Sequence, residues 1–118
     1  MKLEFLSAGI QQEVKEHEGI MSGYVWHEYL AVMIINLRNN VTGKRVGITR
    51  PAAQAAMDNP NFDAAGYFSR SFMVAIRSYC RKRNLPKDEV AADLQDTIEK
   101  VCQDCCTQYH QGNLFYHT

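Results

Sequence analysis

The most constraining feature of this chain is a long apolar segment at residues 25–37. Its large apolar residues recur at steps of one and three, which is typical of one face of an amphipathic helix. They are Val25, Trp26, Tyr29, Leu30, Met33, Ile34 and Leu37. Val32 and Ile35 widen this apolar surface, as in a helix that packs at the centre of a bundle. The spacing therefore predicts a helix over residues 23–38, capped by Ser22.

A β-strand over residues 31–37 is the competing interpretation, because valine and isoleucine favour strands. The helical spacing covers the whole segment, whereas the run of strand-forming residues covers only part of it. We therefore favour the helix.

The first segment of the chain, residues 3–17, also predicts a helix, since Leu3, Leu6, Ile10 and Val14 share one helical stripe.

Three further helices are predicted over residues 50–57, 63–83 and 86–112. Pro51 suits the first turn of a short helix, and Asp63 suits the cap of a long one. Asp88 and Glu89 suit the first turn of the last helix, because acidic residues interact favourably with a helix N-terminus. Gly112 is expected to end it.

The sum of these elements predicts an all-α fold. We expect one helical domain over residues 1–118, built as a single compact bundle of about five helices. Asparagine and glycine between the second and third helices are typical of turns. They predict a short hairpin or an extended loop near residues 39–48.

Composition excludes several classes of protein. The 118 residues include 13 lysines and arginines and 13 aspartates and glutamates, so the formal net charge is zero. This balance argues against disorder and against nucleic-acid binding through bulk positive charge. Lys2 and Glu4 interrupt any apolar start typical of a signal peptide, and no apolar run reaches the length of a membrane span. We therefore expect a cytoplasmic location with reduced cysteines and no membrane partner.

A cluster of thiols and imidazoles is the first candidate site. Cys102, Cys106 and His110 follow one another at steps of four, so a helix would align them on one flank, and such ligands suit zinc. A tetrahedral site needs a fourth ligand, and the pair formed by Cys102 and Cys105 has no second pair along the chain. We therefore expect these cysteines to pack as small apolar residues, with neither a metal nor another cofactor. A redox-sensitive or intermolecular thiol at Cys106 is the alternative.

A run of basic residues is the second candidate site. The predicted helix over 63–83 carries Arg70, Arg77, Arg81, Lys82 and Arg83. These side chains can form a solvated face near a helix C-terminus, where the macrodipole favours cations. They can also contact phosphates, and two helices over 50–57 and 63–83 joined by a turn are typical of a helix-turn-helix.

The aromatic tail is the third candidate. Phe115 and Tyr116 lie near the C-terminus and are expected to dock either on this chain or on a partner subunit. His17 and His27 are the residues most suited to act as a general base. The sequence places no nucleophile, glycine loop or paired carboxylate to use either of them. We expect both to be boundary residues.

These observations favour a small non-enzymatic protein that binds another protein. By analogy of size alone, it would be an accessory or regulatory protein of the phage or mobile-element type. Its partner would be a protein of unknown identity or a second copy in a homodimer, contacted through the basic residues and the aromatic tail. A nucleic-acid-binding regulator that uses the helix over 70–83 is the alternative function, and an enzyme ranks last.

Overall fold

A computed structural model describes residues 1–19 and 23–112 in full and the backbone of residues 115–117. It has an α+β fold, so the prediction of an all-α bundle of about five helices is wrong. In chain order the elements are β1 (Leu3–Glu18), β2 (Val25–Asn39), β3 (Arg45–Ala53), α1 (Gln54–Met57), α2 (Ala64–Lys82), α3 (Lys87–His110) and β4 (Phe115–His117). The strands form one antiparallel sheet in the order β3-β2-β1-β4. The long helices α2 and α3 pack against each other and against one face of this sheet.

The apolar segment that predicted a central helix is the central strand β2. Its odd-numbered residues Ala31, Met33, Ile35 and Leu37 face the helices and are fully buried. Its even-numbered residues Leu30, Val32 and Ile34 lie on the opposite face and are half-buried. Because both faces carry apolar side chains, the alternation of a strand is hidden in the sequence. A continuous apolar run of this kind fits a helix and a strand equally well.

The first predicted helix is strand β1, and a β-bulge explains the error. The pairing of β1 with β2 shifts between Phe5 and Ser7, which inserts one extra residue into β1. Leu3 and Phe5 pack on the helix side before the bulge, and Ala8 and Ile10 are buried after it. The extra residue breaks the period of two along the strand. The remaining spacing between apolar residues then resembles that of a helix.

Strand β3 replaces the first half of the predicted helix over 50–57. Residues 50–53 extend β3, so only the four residues of α1 remain helical. The turn before β3 is the hairpin that the sequence predicted. Its closing backbone hydrogen bond runs from Asn39 N–H to the Lys44 carbonyl at 2.8 Å, and Gly43 adopts φ 75°.

The two long helices occur where the sequence predicted them. Asp63 caps α2 by accepting a hydrogen bond from Gly66 N–H at 3.0 Å. Asn84, with φ 56°, follows the end of α2, where Leu85 N–H donates to the Cys80 carbonyl at 2.9 Å. Their inner faces supply most of the core, namely Phe68, Phe72, Ile76, Leu94, Ile98 and Val101.

Strands β1 and β2 continue beyond the helices as a hairpin arm, formed by residues 11–18 and 25–30. Its side chains are mostly exposed, and they include Val14, Val25, Trp26 and Tyr29. His17 stacks on Trp26 across the two strands, with ring centroids 5.0 Å apart. The arm therefore presents aromatic surface without a covering layer of helix among the described residues.

Asn39 joins the sheet, its turn and α2, and it is 2% exposed. Its side-chain amide donates to the Tyr79 hydroxyl at 3.0 Å, and its side-chain oxygen accepts from the N–H groups of Val41 and Thr42 at 3.0 and 3.3 Å.

We predict that Asn39→Ala lowers the free energy of unfolding by about 2 to 3 kcal/mol, because buried polar groups lose their partners. Tyr79→Phe should cost about 1 kcal/mol, since only one of these bonds is lost.

Urea denaturation followed by circular dichroism measures both effects. Asn40→Ala is the matched control, since Asn40 is the exposed neighbour and its side chain donates one hydrogen bond, to the Met1 carbonyl. Equal destabilisation by the Asn39 and Asn40 variants would contradict the role assigned to Asn39.

Candidate functional site

Strand β3 forms one edge of the sheet. Asn39 and Lys44 form a hydrogen-bonded pair at the turn, and such pairs alternate along an antiparallel ladder. The backbone N–H and C=O groups of the even-numbered residues of β3 therefore bond to β2, and those of the odd-numbered residues point to the open edge. Two outward carbonyls agree with this assignment. The Thr49 carbonyl accepts from Arg50 Nη1 at 2.8 Å, and the Pro51 carbonyl accepts from the Tyr67 hydroxyl at 3.1 Å.

The open part of this edge runs from Arg45 to Thr49. Pro51 has no N–H, and proline on an edge strand blocks further pairing beyond it. An extended segment of another chain could therefore form main-chain hydrogen bonds with Arg45, Gly47 and Thr49. The edge is short, and it offers outward N–H groups at three alternate residues.

A groove of about 480 Å³ lies beside this edge, between β3 and α2. We call it the basic groove. Its apolar lining comes from the half-buried Val46 and Ile48 of β3 and from Ala75 of α2. Its polar lining consists of Thr49, Arg50, Ser78, Tyr79, Lys82 and Arg83. The groove thus combines an apolar floor with cationic side chains at its rim.

The cations of the basic groove have no acidic partner within the described part of the chain. No carboxylate lines the groove, and none of the ion pairs there involves Arg50, Lys82 or Arg83. The Arg83 guanidinium lies 3.9 Å from the centroid of the Tyr79 ring, which holds it at the wall. This surface is therefore suited to an anionic ligand.

The predicted basic stripe is divided between two surfaces. Lys82 and Arg83 belong to the basic groove, whereas Arg70 and Arg77 line a separate cleft of about 590 Å³ between α2 and α3. Arg77 Nε lies 3.7 Å from Asp88 Oδ1, and Glu99 lines the same cleft. Arg81 is exposed in the last turn of α2.

The helix-turn-helix interpretation is wrong in its geometry. The first helix of the expected pair is reduced to the single turn of α1, and Arg50 lies on a strand. A recognition helix needs a partner helix that crosses the nucleic-acid backbone beside it. The four residues of α1 are too short for that role.

The candidate ligands Cys102, Cys106 and His110 do not converge on one point. Cys102 and Cys106 are buried, while His110 is exposed and its Nε2 lies 2.9 Å from the Met57 carbonyl. Within residues 1–19 and 23–112, no group of three or more potential ligands could hold a metal ion. Burial raises the pKa of Cys102, and it raises the pKa values of Cys105 and Cys106 to about 12. Neutral buried thiols pack as small apolar side chains.

The aromatic tail folds back on its own chain. The backbone of Phe115 and Tyr116 pairs antiparallel with Ile10 and Gly9 of β1, at the edge opposite to β3. The positions of their side chains are outside the described part of the structure.

The two candidate bases, His17 and His27, lie far from both clefts, on the hairpin arm. There His17 Nε2 is 3.8 Å from Glu28 Oε1, and His27 Nε2 is 3.9 Å from Glu16 Oε2.

Sequence reasoning assigned Arg50 to the basic surface but missed that it lies on an edge strand. A signal was present, because Val46 and Ile48 alternate with residues of the opposite face in a period of two. The prediction of Pro51 as part of the first turn of a helix concealed this alternation.

Comparisons with protein-family models, curated proteins and solved structures give no match to this chain. None of the helices in the described residues combines the length and apolar character that crossing a bilayer requires. Function must therefore be inferred from the surfaces themselves.

We predict that the four cysteines of the native protein react slowly with a thiol reagent such as DTNB. The pKa of about 12 at Cys105 and Cys106 leaves on the order of one thiolate in a thousand near pH 9, whereas an ordinary thiol is about half ionised there. The unfolded chain binds fewer protons than the native one above pH 9, so the free energy of unfolding should fall as the pH rises from 9 to 12.

Thiol titration in native buffer and in denaturant measures the difference, with the unfolded chain as the internal control. A cysteine that reacts in native buffer as fast as in denaturant would contradict the burial of the thiols.

Proposed function

We propose that this protein is a non-enzymatic binding module that captures an extended acidic segment of a partner protein along β3. The observation that carries the proposal is an open strand edge beside a groove whose cations lack acidic partners among the described residues. Addition of a strand to a sheet edge is a recurrent mode of peptide recognition.

The main chain of the bound segment would supply most of the affinity. It would pair with the outward groups of Arg45, Gly47 and Thr49, and each net hydrogen bond contributes about 0.5 to 1.5 kcal/mol. Because an added strand continues the pleat of β3, alternate side chains would point toward the helices. Those side chains would enter the basic groove over Val46 and Ile48.

The charge of the groove selects the type of segment. Arg50, Lys82 and Arg83 favour glutamate or aspartate at the positions that face α2, interspersed with apolar residues over the floor. Complementary charge mainly raises the association rate and the specificity, and it weakens with salt. The expected ligand is therefore an acidic β-forming peptide with a dissociation constant that increases with ionic strength.

Selection from a library of random linear peptides on the immobilised full chain tests this proposal. We predict that the selected peptides alternate acidic and apolar residues. Thr49→Pro removes one outward N–H and should weaken the best selected peptide by about fivefold to tenfold. Lys82→Glu/Arg83→Glu should weaken it by at least about tenfold at low salt.

Ala53→Pro is the matched control for the backbone bond. Ala53 lies on the same edge beyond Pro51, and its φ of −62° already suits proline. Peptides that bind the Thr49 and Ala53 variants equally well would exclude strand addition at β3.

Nucleic acid is the competing ligand. Tight, strongly salt-dependent binding of DNA or RNA that is lost in Arg77→Ala/Arg81→Ala would replace the proposal.

A further inference from the structure

The face of the sheet opposite to the helices has no covering element among the described residues. We call it the open face. It is formed by alternate residues of three strands, and the register places Ile34 between Gly9 and Thr49, and Val32 between Gln11 and Pro51. On the other face of the same strand, Met33 and Ile35 are fully buried by the helices. Strand β2 thus carries apolar residues toward a side that no helix or strand of the described residues covers.

The centre of the open face is uncharged, and its β1 residues Ser7 and Gly9 are buried within the chain. The row next to Ile34 contains Ser7, Asn36 and Gly47, with Asn36 Nδ2 donating to Ser7 Oγ at 3.0 Å. A Cβ atom at Gly47 would lie 3.7 Å from Ile34 Cδ1 and 3.3 Å from Asn36 Oδ1. The glycine therefore leaves the apolar stripe accessible from the side of β3. Three successive rows across β1, β2 and β3 carry no charged residue.

Charged rows of opposite sign bound this patch. At one end Arg38 pairs with Glu4 and Arg45, which gives that row a formal charge of +1. At the other end, the row that contains Glu13 and Leu30 has a formal charge of −1. The next row contains Lys15 and Glu28 and has a formal charge of zero. The open face therefore has an uncharged centre, a positive end and a negative end.

A second copy of this chain complements all three parts at once. A two-fold axis that lies in the interface at right angles to the strands would stack the two uncharged centres. It would also place the positive end of each copy over the negative end of the other. An axis along the strands would instead bring like charges together, which disfavours that arrangement.

We propose that the open face is the interface of an antiparallel, two-fold symmetric homodimer. The helices remain outside the pair of stacked sheets. The basic groove lies on the helix side of β3, so it stays accessible in this dimer. The dimer is therefore independent of the proposed peptide binding, and either can fail without the other.

Sedimentation velocity of the full chain over a range of concentrations tests the proposal. We expect a concentration-dependent monomer–dimer equilibrium. Val32→Lys should abolish the dimer because it places a charge in the uncharged centre. Val74→Lys is the matched control, since Val74 is exposed on α2 at 68% and lies away from the open face.

Charge reversal distinguishes the antiparallel arrangement from others. The axis places the Arg38 row of each copy over the Glu13 row of the other, so Glu13→Lys and Arg38→Glu should each raise the dissociation constant of the dimer on the order of fivefold. The double variant exchanges the two signs, so it should restore the dimer to near the original affinity. Circular dichroism establishes that each variant folds.

A chain that stays monomeric at all concentrations would overturn the proposal. A dimer that survives Val32→Lys, or a double variant no better than the single ones, would overturn it as well.

Discussion

The structure depends on the apolar character of both faces of strand β2. One face is sealed by α2 and α3, whose large side chains bury Ala31, Met33, Ile35 and Leu37 completely. This burial anchors the sheet, because removal of apolar surface from water is the dominant favourable term in folding. The other face carries the same kind of side chain without a second layer of helix in the described residues. The proposed homodimer follows from this difference between the two faces, whereas the proposed peptide binding rests on the edge of β3 and the basic groove.

The two edges of the sheet are protected in different ways. On the β1 side, the backbone of β4 pairs with Ala8, Gly9 and Ile10, so part of that edge is satisfied within the chain. On the β3 side, Pro51 and the hydroxyl of Tyr67 close the edge only at its end. Residues 45–49 remain open, and open edges readily pair with other strands. The cations beside this edge restrict which strands pair there, since a basic extended segment would be repelled.

The sequence predicted the C-terminal half of the fold and failed in the N-terminal half, for a physical reason. Helices α2 and α3 have local signals that act within a few residues, such as the Asp63 cap and the acidic first turn of α3. Strands β1 and β2 are defined by pairing with each other, and their periodicity was disguised by a bulge and by a two-faced apolar pattern. Local spacing carries no information about such pairing. The local spacing therefore favoured the helical interpretation, although the valines and isoleucines of residues 31–37 favoured a strand.

The candidate site was predictable only in its chemistry. The sequence predicted Lys82 and Arg83 as contact residues together with Arg70 and Arg77, but their separation from Arg70 and Arg77 follows from the packing of α2 between β3 and α3. The sequence by itself determined the charge balance, the two long helices and the apolar character of residues 25–37. The tertiary structure alone decided that this apolar segment is a strand, which of its faces the helices cover, and that Arg50 joins Lys82 and Arg83. Those outcomes require contacts between residues far apart in the chain, and such contacts form only when the sheet and the helices assemble together.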